Sequence, residues 1–155
     1  MSNVKAVIVR SGNEEYALPV EHVISIEKLD SVNPIPHLPE YMIGLMKIRG
    51  ELIPILDFEQ ILYNRKASHN DDVRVVVAQT DSLNIGLLVL EAKEILDLPG
   101  DALKQIGLSN YSRTKFVSSV ANLDERMITL IDPSILVTTL EGVKEIKEYM
   151  DSVES

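Results

Sequence analysis

Apolar residues in this chain recur in short runs, and polar, glycine or proline residues separate one run from the next. Short runs with alternating or continuous apolar character are typical of β-strands, whose successive side chains face opposite sides of a sheet. The pattern predicts about ten strands. The runs that carry this prediction are residues 5–10, 16–19, 43–48, 51–56, 73–78, 85–90, 94–98, 116–123 and 126–131, together with the end of 20–28 after one helical turn.

Two helix starts are visible among the polar residues. Asp57 is placed to cap a short helix over residues 58–62, and Asp132 precedes a proline that suits a first helical position. The tail after Asp132 carries apolar residues near one helical face and predicts a helix over residues 133–150. Gly142 falls inside that helix and lowers its stability by about 1 kcal/mol relative to alanine.

The centre of the pattern is a predicted hairpin, in which residues 43–48 and 51–56 flank Arg49 and Gly50. Gly50 can supply the positive φ that a two-residue hairpin turn needs. Arg49 then lies at the tip of a rigid hairpin, where its planar guanidinium suits recognition of a partner. The alternative is an ordinary solvated turn residue. Pro54 inside the second strand predicts an edge position or a bulge.

Many short strands with regular turn signals predict a mainly β fold, either a barrel or a sandwich. Strands and helices do not alternate, so we do not expect a parallel sheet. The pattern has two parts divided by the polar segment around His69, which we interpret as a loop and not as a linker between domains. Pro34, Pro36 and Pro39 predict a stiff loop that suits the edge of a binding groove, with a PxxP ligand as the alternative.

Composition narrows the class of protein. The 155 residues suit one domain or two small, closely packed ones, and 45% apolar residues with no Trp imply a core of Ile, Val and Leu. A net charge of −9 opposes binding to nucleic acid or to anionic lipid, and favours a soluble monomer when free. The N-terminus lacks an apolar signal core, and no apolar run approaches the roughly 20 residues that span a bilayer. We therefore expect a cytoplasmic protein with no direct membrane insertion.

Residues with catalytic potential are scattered. Cys is absent, and the three His residues have no partner at a metal-ligand spacing, so we expect neither a metal nor another cofactor. Asp57 and Glu59 could form an acid–base pair, but a helix cap and a surface charge are the favoured interpretation. Asn110 begins a glycosylation sequon, which we treat as a chance match without a secretion signal. No catalytic constellation emerges, so we do not expect an enzyme.

The segment 20–58 resembles the signature of the CheW-like domain family. That family has a core pattern of the form Gly-Val-x-Asn-x-Arg-Gly-x-x-x-Pro-x-x-Asp-Leu, and the resemblance continues through the later strands to Ile131. The residues of this chain that fall in register with the pattern are Gly44, Arg49, Gly50, Pro54 and Asp57.

The resemblance implies a fold of two intertwined five-stranded Src-homology-3-like barrels that share one core, plus a C-terminal α-helix. It also implies a non-catalytic chemotaxis adaptor in signalling arrays. Such an adaptor couples the cytoplasmic helical tip of chemoreceptors (methyl-accepting chemotaxis proteins) to the regulatory domain of the histidine kinase CheA. The expected location is the cytoplasm, at membrane receptor arrays.

The resemblance also assigns contact residues. The receptor side is expected to comprise Val23, Ser25, Ile26, Ile43, Lys47 and Arg49. The kinase side is expected on the second barrel, at Ile85, Leu87 and Val89. Gly44 and Gly50 are expected in structural turns, and Val23 and Ile26 could equally belong to the core. Lys47 replaces the Asn usual in the family and Ser25 replaces a frequent Glu, so we expect Arg49 to lack a nearby acidic partner.

Three alternatives stay open at this stage. The chain could serve as a CheW-like scaffold in an array outside chemotaxis. It could be a piece of a longer coupling protein with a receiver domain, although Met1 and the polar tail favour an intact chain. From a different class, it could be a small β-barrel domain that binds a ligand or catalyses hydrolysis.

Overall fold

The computed structural model describes residues 3–105 and 115–154, so the sequon at Asn110 lies outside the described residues. The described strands are β1 (Val4–Ser11), β2 (Glu14–Pro19), β3 (Val23–Lys28), β4 (Met42–Ile48), β5 (Glu51–Asp57), β6 (Arg74–Gln79), β7 (Asn84–Val89), β8 (Glu91–Leu98), β9 (Leu103–Lys104), β10 (Val117–Leu123) and β11 (Arg126–Ile131). The described helices are α1 (Phe58–Tyr63), α2 (Pro133–Thr139) and α3 (Val143–Glu154). Short 3₁₀ turns at Val20–His22 and Gly100–Ala102 precede β3 and β9.

The strands form two sheets, and the mainly β prediction is confirmed. One sheet has six strands in the order β8-β1-β2-β11-β10-β9, and the other has five in the order β3-β6-β7-β5-β4. The chain builds β1 and β2, then the whole five-stranded sheet, and returns to the first sheet at β8. The two parts are therefore intertwined, and the predicted division at His69 is wrong, because that residue lies within the five-stranded unit, between α1 and β6.

Most strand pairs are antiparallel. Each sheet nevertheless contains one parallel pair, β2 with β11 and β5 with β7. β5 lies between β7 and β4, so the edge position predicted from Pro54 is wrong, and the register shift of this pair lies in β4 between Met42 and Gly44, not at Leu45, the partner of Pro54. The proline is tolerated because the β5–β7 ladder begins only at Ile55, beyond the missing N–H.

The edges of the five-stranded sheet meet and close it toward a barrel. Asn33 lies in the segment that follows β3, and its N–H donates to the Leu45 carbonyl at 2.8 Å while the Leu45 N–H donates to the Asn33 carbonyl at 2.9 Å. A Cβ atom at Gly44 would lie 2.3 Å from the Asn33 carbonyl oxygen. Gly44 therefore permits this close approach from within β4, and its predicted place in a turn is wrong.

The apolar interior has three clusters. The largest draws on both sheets and on all three helices, whereas each smaller cluster lies within a single sheet. On β1 the side chains alternate, with Ile8 in the cluster of its own sheet and Val7 in the shared cluster. Val75 and Val76 alternate in the same way on β6. A strand that is buried on both faces has apolar residues at successive positions, which explains the continuous apolar runs in the sequence.

Asp57 caps α1, as predicted, since its Oδ1 accepts a hydrogen bond from the Gln60 N–H at 3.2 Å. The single helix predicted over residues 133–150 is wrong, because two helices occupy that part of the chain. Leu140 has an extended ψ of 132° and Gly142 a φ of 82°, so the chain turns between α2 and α3. Gly142 thus breaks the helix instead of merely weakening it.

Candidate partner-binding surface

The β4–β5 hairpin ends in a tight two-residue turn. Arg49 has a φ of 53° and Gly50 a φ of 84°, and positive φ at both central positions is the requirement of a type I′ turn. The prediction of a positive φ at Gly50 is confirmed. A residue other than glycine with a positive φ carries about 1 kcal/mol of backbone strain. An arginine at this position, where glycine would relieve the strain, therefore suggests that the Arg49 side chain has a function.

The guanidinium of Arg49 is exposed but has an acidic neighbour. Its side chain is 75% exposed, and its Nη2 lies 3.5 Å from Oε2 of Glu27 on β3. The expectation that Arg49 lacks a nearby acidic partner is therefore wrong. Glu27 could not be assigned from the sequence, because only the closure of the five-stranded sheet brings β3 to the hairpin tip. This contact joins the hairpin tip to β3 on the side opposite Ile26, because Glu27 pairs with Val75 of the cluster inside the five-stranded sheet whereas Ile26 pairs with Val76 of the shared cluster.

The outer face of β3 carries apolar side chains at the edge of the sheet. Ile24 is 50% exposed and Ile26 is 42% exposed, and Lys28 is also exposed. We call Ile24, Ile26 and Lys28 the β3 face. Among the described residues only five large apolar side chains are exposed, and two of them are neighbours on this face. Single exposed apolar residues are ordinary, whereas two exposed isoleucines on one strand, next to the exposed Lys28, mark a candidate contact surface.

The predicted receptor-side residues divide into two groups. Ile26, Lys47 and Arg49 are exposed, which a contact residue requires. Val23 packs against the shared core, and the Ser25 hydroxyl is buried without a hydrogen-bond partner in the described part of the chain.

Ile43 is the sixth receptor-side residue, and it is half-buried against the core of the five-stranded sheet. It lies near the far end of β4, roughly 20 Å along the strand from the hairpin tip. The structure therefore brings β3 and the tip together and leaves Ile43 apart from both.

The predicted kinase-side residues cannot form a contact surface in this fold. Ile85, Leu87 and Val89 are at most 1% exposed and belong to the shared core cluster. β7 lies between β6 and β5, and both of its faces are covered. The continuous apolar run of β7 was the available signal, since it indicates a strand buried on both sides.

Sequence reasoning missed Ile24, although a signal for it existed. Residues two apart on a regular strand share a face, so Ile24 and Ile26 belong together. The observed burial alternates in this way along β3. A register shift between Val23 and Ser25 interrupts the pairing with β6, so Val23 lies opposite Ala78 of the shared cluster and Ser25 lies opposite Val77 of the cluster inside the five-stranded sheet. Of the three predicted residues on β3, Ser25 is therefore the one turned away from the side of Ile26.

The two carboxylates considered for catalysis have structural roles. Asp57 caps α1 and also accepts the Ala67 N–H at 2.9 Å. Glu59 is only 6% exposed, so the predicted surface charge is wrong. Its carboxylate accepts the Gly12 N–H at 2.8 Å and the Arg65 Nε–H at 3.0 Å, and so joins α1 to the β1–β2 turn.

Residues 3–105 and 115–154 lack two kinds of special site. In that part of the chain, no group of three or more His, Cys, Asp or Glu side chains could hold a metal ion. Within the same residues, none of the helices has the length and apolar character needed to cross a membrane.

Comparison with known proteins identifies the family. Residues 5–141 match the family described as "CheW-like domain". The chain is 27% identical over 137 residues to the probable chemotaxis protein CheW of Rhizobium etli, covering 88% of each chain. It is 29% identical over 128 residues to the chemotaxis protein CheW of Rhizobium meliloti, covering 81% of this chain and 82% of that one.

A solved structure shares the fold. The crystal structure of the scaffolding protein TtCheW from Thermoanaerobacter tengcongensis superimposes with a TM-score of 0.78 at 24% identity, and the match covers 92% of each chain. The family match spans most of the chain, and the two-sheet architecture agrees with it. This chain therefore belongs to the CheW-like domain family.

Proposed function

We propose that the chain is a non-catalytic chemotaxis adaptor that couples chemoreceptors to the histidine kinase CheA. The observation that carries the proposal is the exposed Arg49 side chain on a rigid type I′ turn that an ion pair with Glu27 joins to β3, the strand that exposes Ile24 and Ile26, in a chain of the CheW-like family. A preformed surface of this kind binds a partner without first paying to order a loop.

We propose that this surface receives the helical tip of a receptor. Ile24 and Ile26 would contact an apolar stripe of a receptor helix, which is the usual way that an amphipathic helix docks. Lys28, Lys47 and Arg49 would face carboxylates beside that stripe and set its orientation. The positive charge at this surface is notable in a chain whose net charge is −9.

A kinase contact has to lie outside the buried strand β7. The proposed role requires two protein contacts and no chemical step, which agrees with the structural roles of Asp57 and Glu59. We propose that the free adaptor is a monomer and that it acts in the cytoplasm, at receptor arrays. Individually weak signalling contacts can hold such arrays together through multivalency.

Reconstitution of the chain with kinase and receptor-containing membranes tests the proposal. The wild-type chain should make kinase activity depend on the receptor, and Arg49→Glu should remove most of that dependence. Lys144→Glu is a matched control, because it makes the same charge change at an exposed position of α3. Equal loss in both variants, or no receptor dependence with the wild-type chain, would contradict the proposal.

A second substitution separates recognition from stability. Arg49→Gly removes the guanidinium and also relieves the positive φ at this position. Coupling should fall while the free energy of unfolding stays constant or rises by up to about 1 kcal/mol. A fall in both quantities would show that Arg49 is mainly a structural residue.

A further inference from the structure

A second surface feature, a groove of about 810 Å³, lies apart from the β3 face and the hairpin tip. Its walls come from the six-stranded sheet, from α1, from the loop before β4 and from the end of α2. The lining residues are Tyr16, Pro39, Glu40, Tyr41, Gln60, Ile61, Leu62, Asn64, Phe116, Val117, Thr129, Thr139, Leu140 and Glu141. We call this feature the seam groove, because both halves of the fold contribute to it.

Specific contacts fix the rim of the seam groove. The Tyr41 hydroxyl donates a hydrogen bond to the Glu141 carbonyl at 2.7 Å and joins two segments that are 100 residues apart. At the same junction, a Cβ atom placed on Gly142 would lie 2.4 Å from Cγ of Pro39, so the proline ring packs directly against the backbone of Gly142. The groove is therefore preformed, and a ligand would meet walls that are already ordered.

The floor of the groove is apolar and aromatic. Tyr16 and Phe116 are buried at its base, and Ile61 is half-buried beside them. The Tyr16 hydroxyl is paired with the Tyr63 hydroxyl, so the ring offers mainly its apolar surface. A floor of this kind accepts aliphatic or aromatic side chains.

The mouth of the groove is acidic. Glu40 and Glu141 are exposed at the rim, and the described lining residues include no basic side chain. Burial, together with the nearby negative charges of Glu145 and Glu141, raises the pKa of Tyr41 to about 12. Three carboxylates thus create a negative potential around an aromatic ring, which favours a cation on an aliphatic stem.

We propose that the seam groove binds a basic, apolar segment of a partner protein, with its aliphatic side chains on the aromatic floor and its lysine or arginine side chains at Tyr41, Glu40 and Glu141. This goes beyond the proposed receptor contact, since the adaptor would carry two surfaces of opposite charge. The cationic tip would accept an acidic partner, and the acidic groove would accept a basic one.

A synthetic peptide with lysine and leucine at helical spacing provides the probe. The isotope-labelled full chain is titrated with it, chemical-shift changes locate the site and calorimetry gives the dissociation constant. Changes should concentrate at the groove lining, and a peptide with glutamate in place of lysine should not bind. Changes centred on the β3 face or the hairpin tip, or equal binding of the glutamate peptide, would overturn the proposal.

Paired charge variants separate local from overall electrostatics. Glu40→Gln combined with Glu141→Gln should weaken binding about fivefold, which corresponds to about 1 kcal/mol for two exposed charge pairs. Asp71→Asn combined with Asp72→Asn makes the same change in net charge at exposed positions outside the groove, and should weaken binding by less than about twofold. If both double variants weakened peptide binding equally, the effect would come from the net charge of the chain and not from the groove, and the proposal would be overturned.

A blocking variant tests the shape of the site. Thr129→Trp places a large side chain in the groove and should abolish peptide binding, whereas Thr138→Trp, at an exposed position outside the groove lining, should not. Circular dichroism melting establishes that both variants fold. Peptide binding that persists in folded Thr129→Trp would overturn the proposal. Self-association of the wild-type chain that Thr129→Trp abolishes would also overturn it, because the groove would then bind a second copy of the chain.

Discussion

At the scale of single residues, the hairpin tip combines two left-handed positions with different consequences. Gly50 adopts its conformation without strain, whereas Arg49 adopts a similar one at a cost. Arg49 also gains an ionic contact with Glu27 that joins the hairpin tip to β3. Because the Arg49 side chain is 75% exposed, solvent screens this pair, and its main consequence is orientation of the guanidinium.

Gly50→Ala should lower the free energy of unfolding by about 1 kcal/mol. A Cβ atom at this position would meet no other atom within 4 Å, so the expected loss reflects backbone strain and not a clash. Urea denaturation measures it. Gly50→Asn is the control and should cost less, since asparagine tolerates this conformation better than alanine. If Gly50→Ala had the same free energy of unfolding as the wild type, the positive φ would not explain why glycine occupies this position.

At the scale of secondary-structure elements, β3 and β7 show how far a strand pattern can be interpreted. Both were predicted, but β3 exposes one face at a sheet edge, whereas β7 is covered on both faces. The sequence distinguishes them, because polar residues alternate along β3 and no polar side chain interrupts the run from Ile85 to Val89. The strands and the capped helix were predictable for the same reason, namely that their signals are local.

A matched pair of lysine substitutions tests this contrast. Ile26→Lys should lower the free energy of unfolding by less than about 1 kcal/mol, because the side chain already faces solvent. Leu87→Lys should cost about 3 kcal/mol or more, because it buries a charge in the shared core. Thermal melting measures both variants. A large loss for Ile26→Lys would show that the β3 face is part of the core.

A charged cluster ties β2, β8 and β11 together in the six-stranded sheet. Arg126 donates to both carboxylate oxygens of Glu15, at 2.9 and 2.7 Å, and Lys93 lies 3.1 Å from the same carboxylate. The hydrogen bond from Arg126 is the largest influence on the pKa of Glu15 and holds it below the ordinary value. A carboxyl group whose pKa is lowered in the folded state stabilises the fold above its ordinary pKa of about 4.5, and that contribution is lost as the pH falls below it.

Glu15→Gln should therefore lower the free energy of unfolding by about 1 kcal/mol at pH 7. The difference from wild type should shrink as the pH falls through the lowered pKa, since the wild-type carboxyl group is then neutral as well. Denaturation measured across the acid range gives the difference directly. Glu14→Gln is the control at an exposed neighbouring position and should show a much smaller effect. A difference that is constant with pH would rule out the ionic contribution.

At the scale of the whole molecule, the arrangement of the two sheets depends on long-range closure. The resemblance of residues 20–58 to the CheW-like family implied intertwined barrels, and the two interlocked sheets agree with it. Local patterns could not predict that Asn33 meets Leu45 or that Glu27 meets Arg49, because both contacts depend on sheet closure. The separation of α2 and α3 did have a local signal in Gly142, since glycine commonly ends a helix, but the apolar pattern that continues past it favoured a single helix.

We propose that the β3 face and the hairpin tip together form the surface that binds the receptor. The most direct measurement is chemical-shift mapping of the isotope-labelled chain with a receptor cytoplasmic fragment that contains the helical tip. The account predicts changes at Ile24, Ile26, Lys47 and Arg49, and their loss with Arg49→Glu. Changes confined to the seam groove, or no binding by the wild-type chain, would contradict it.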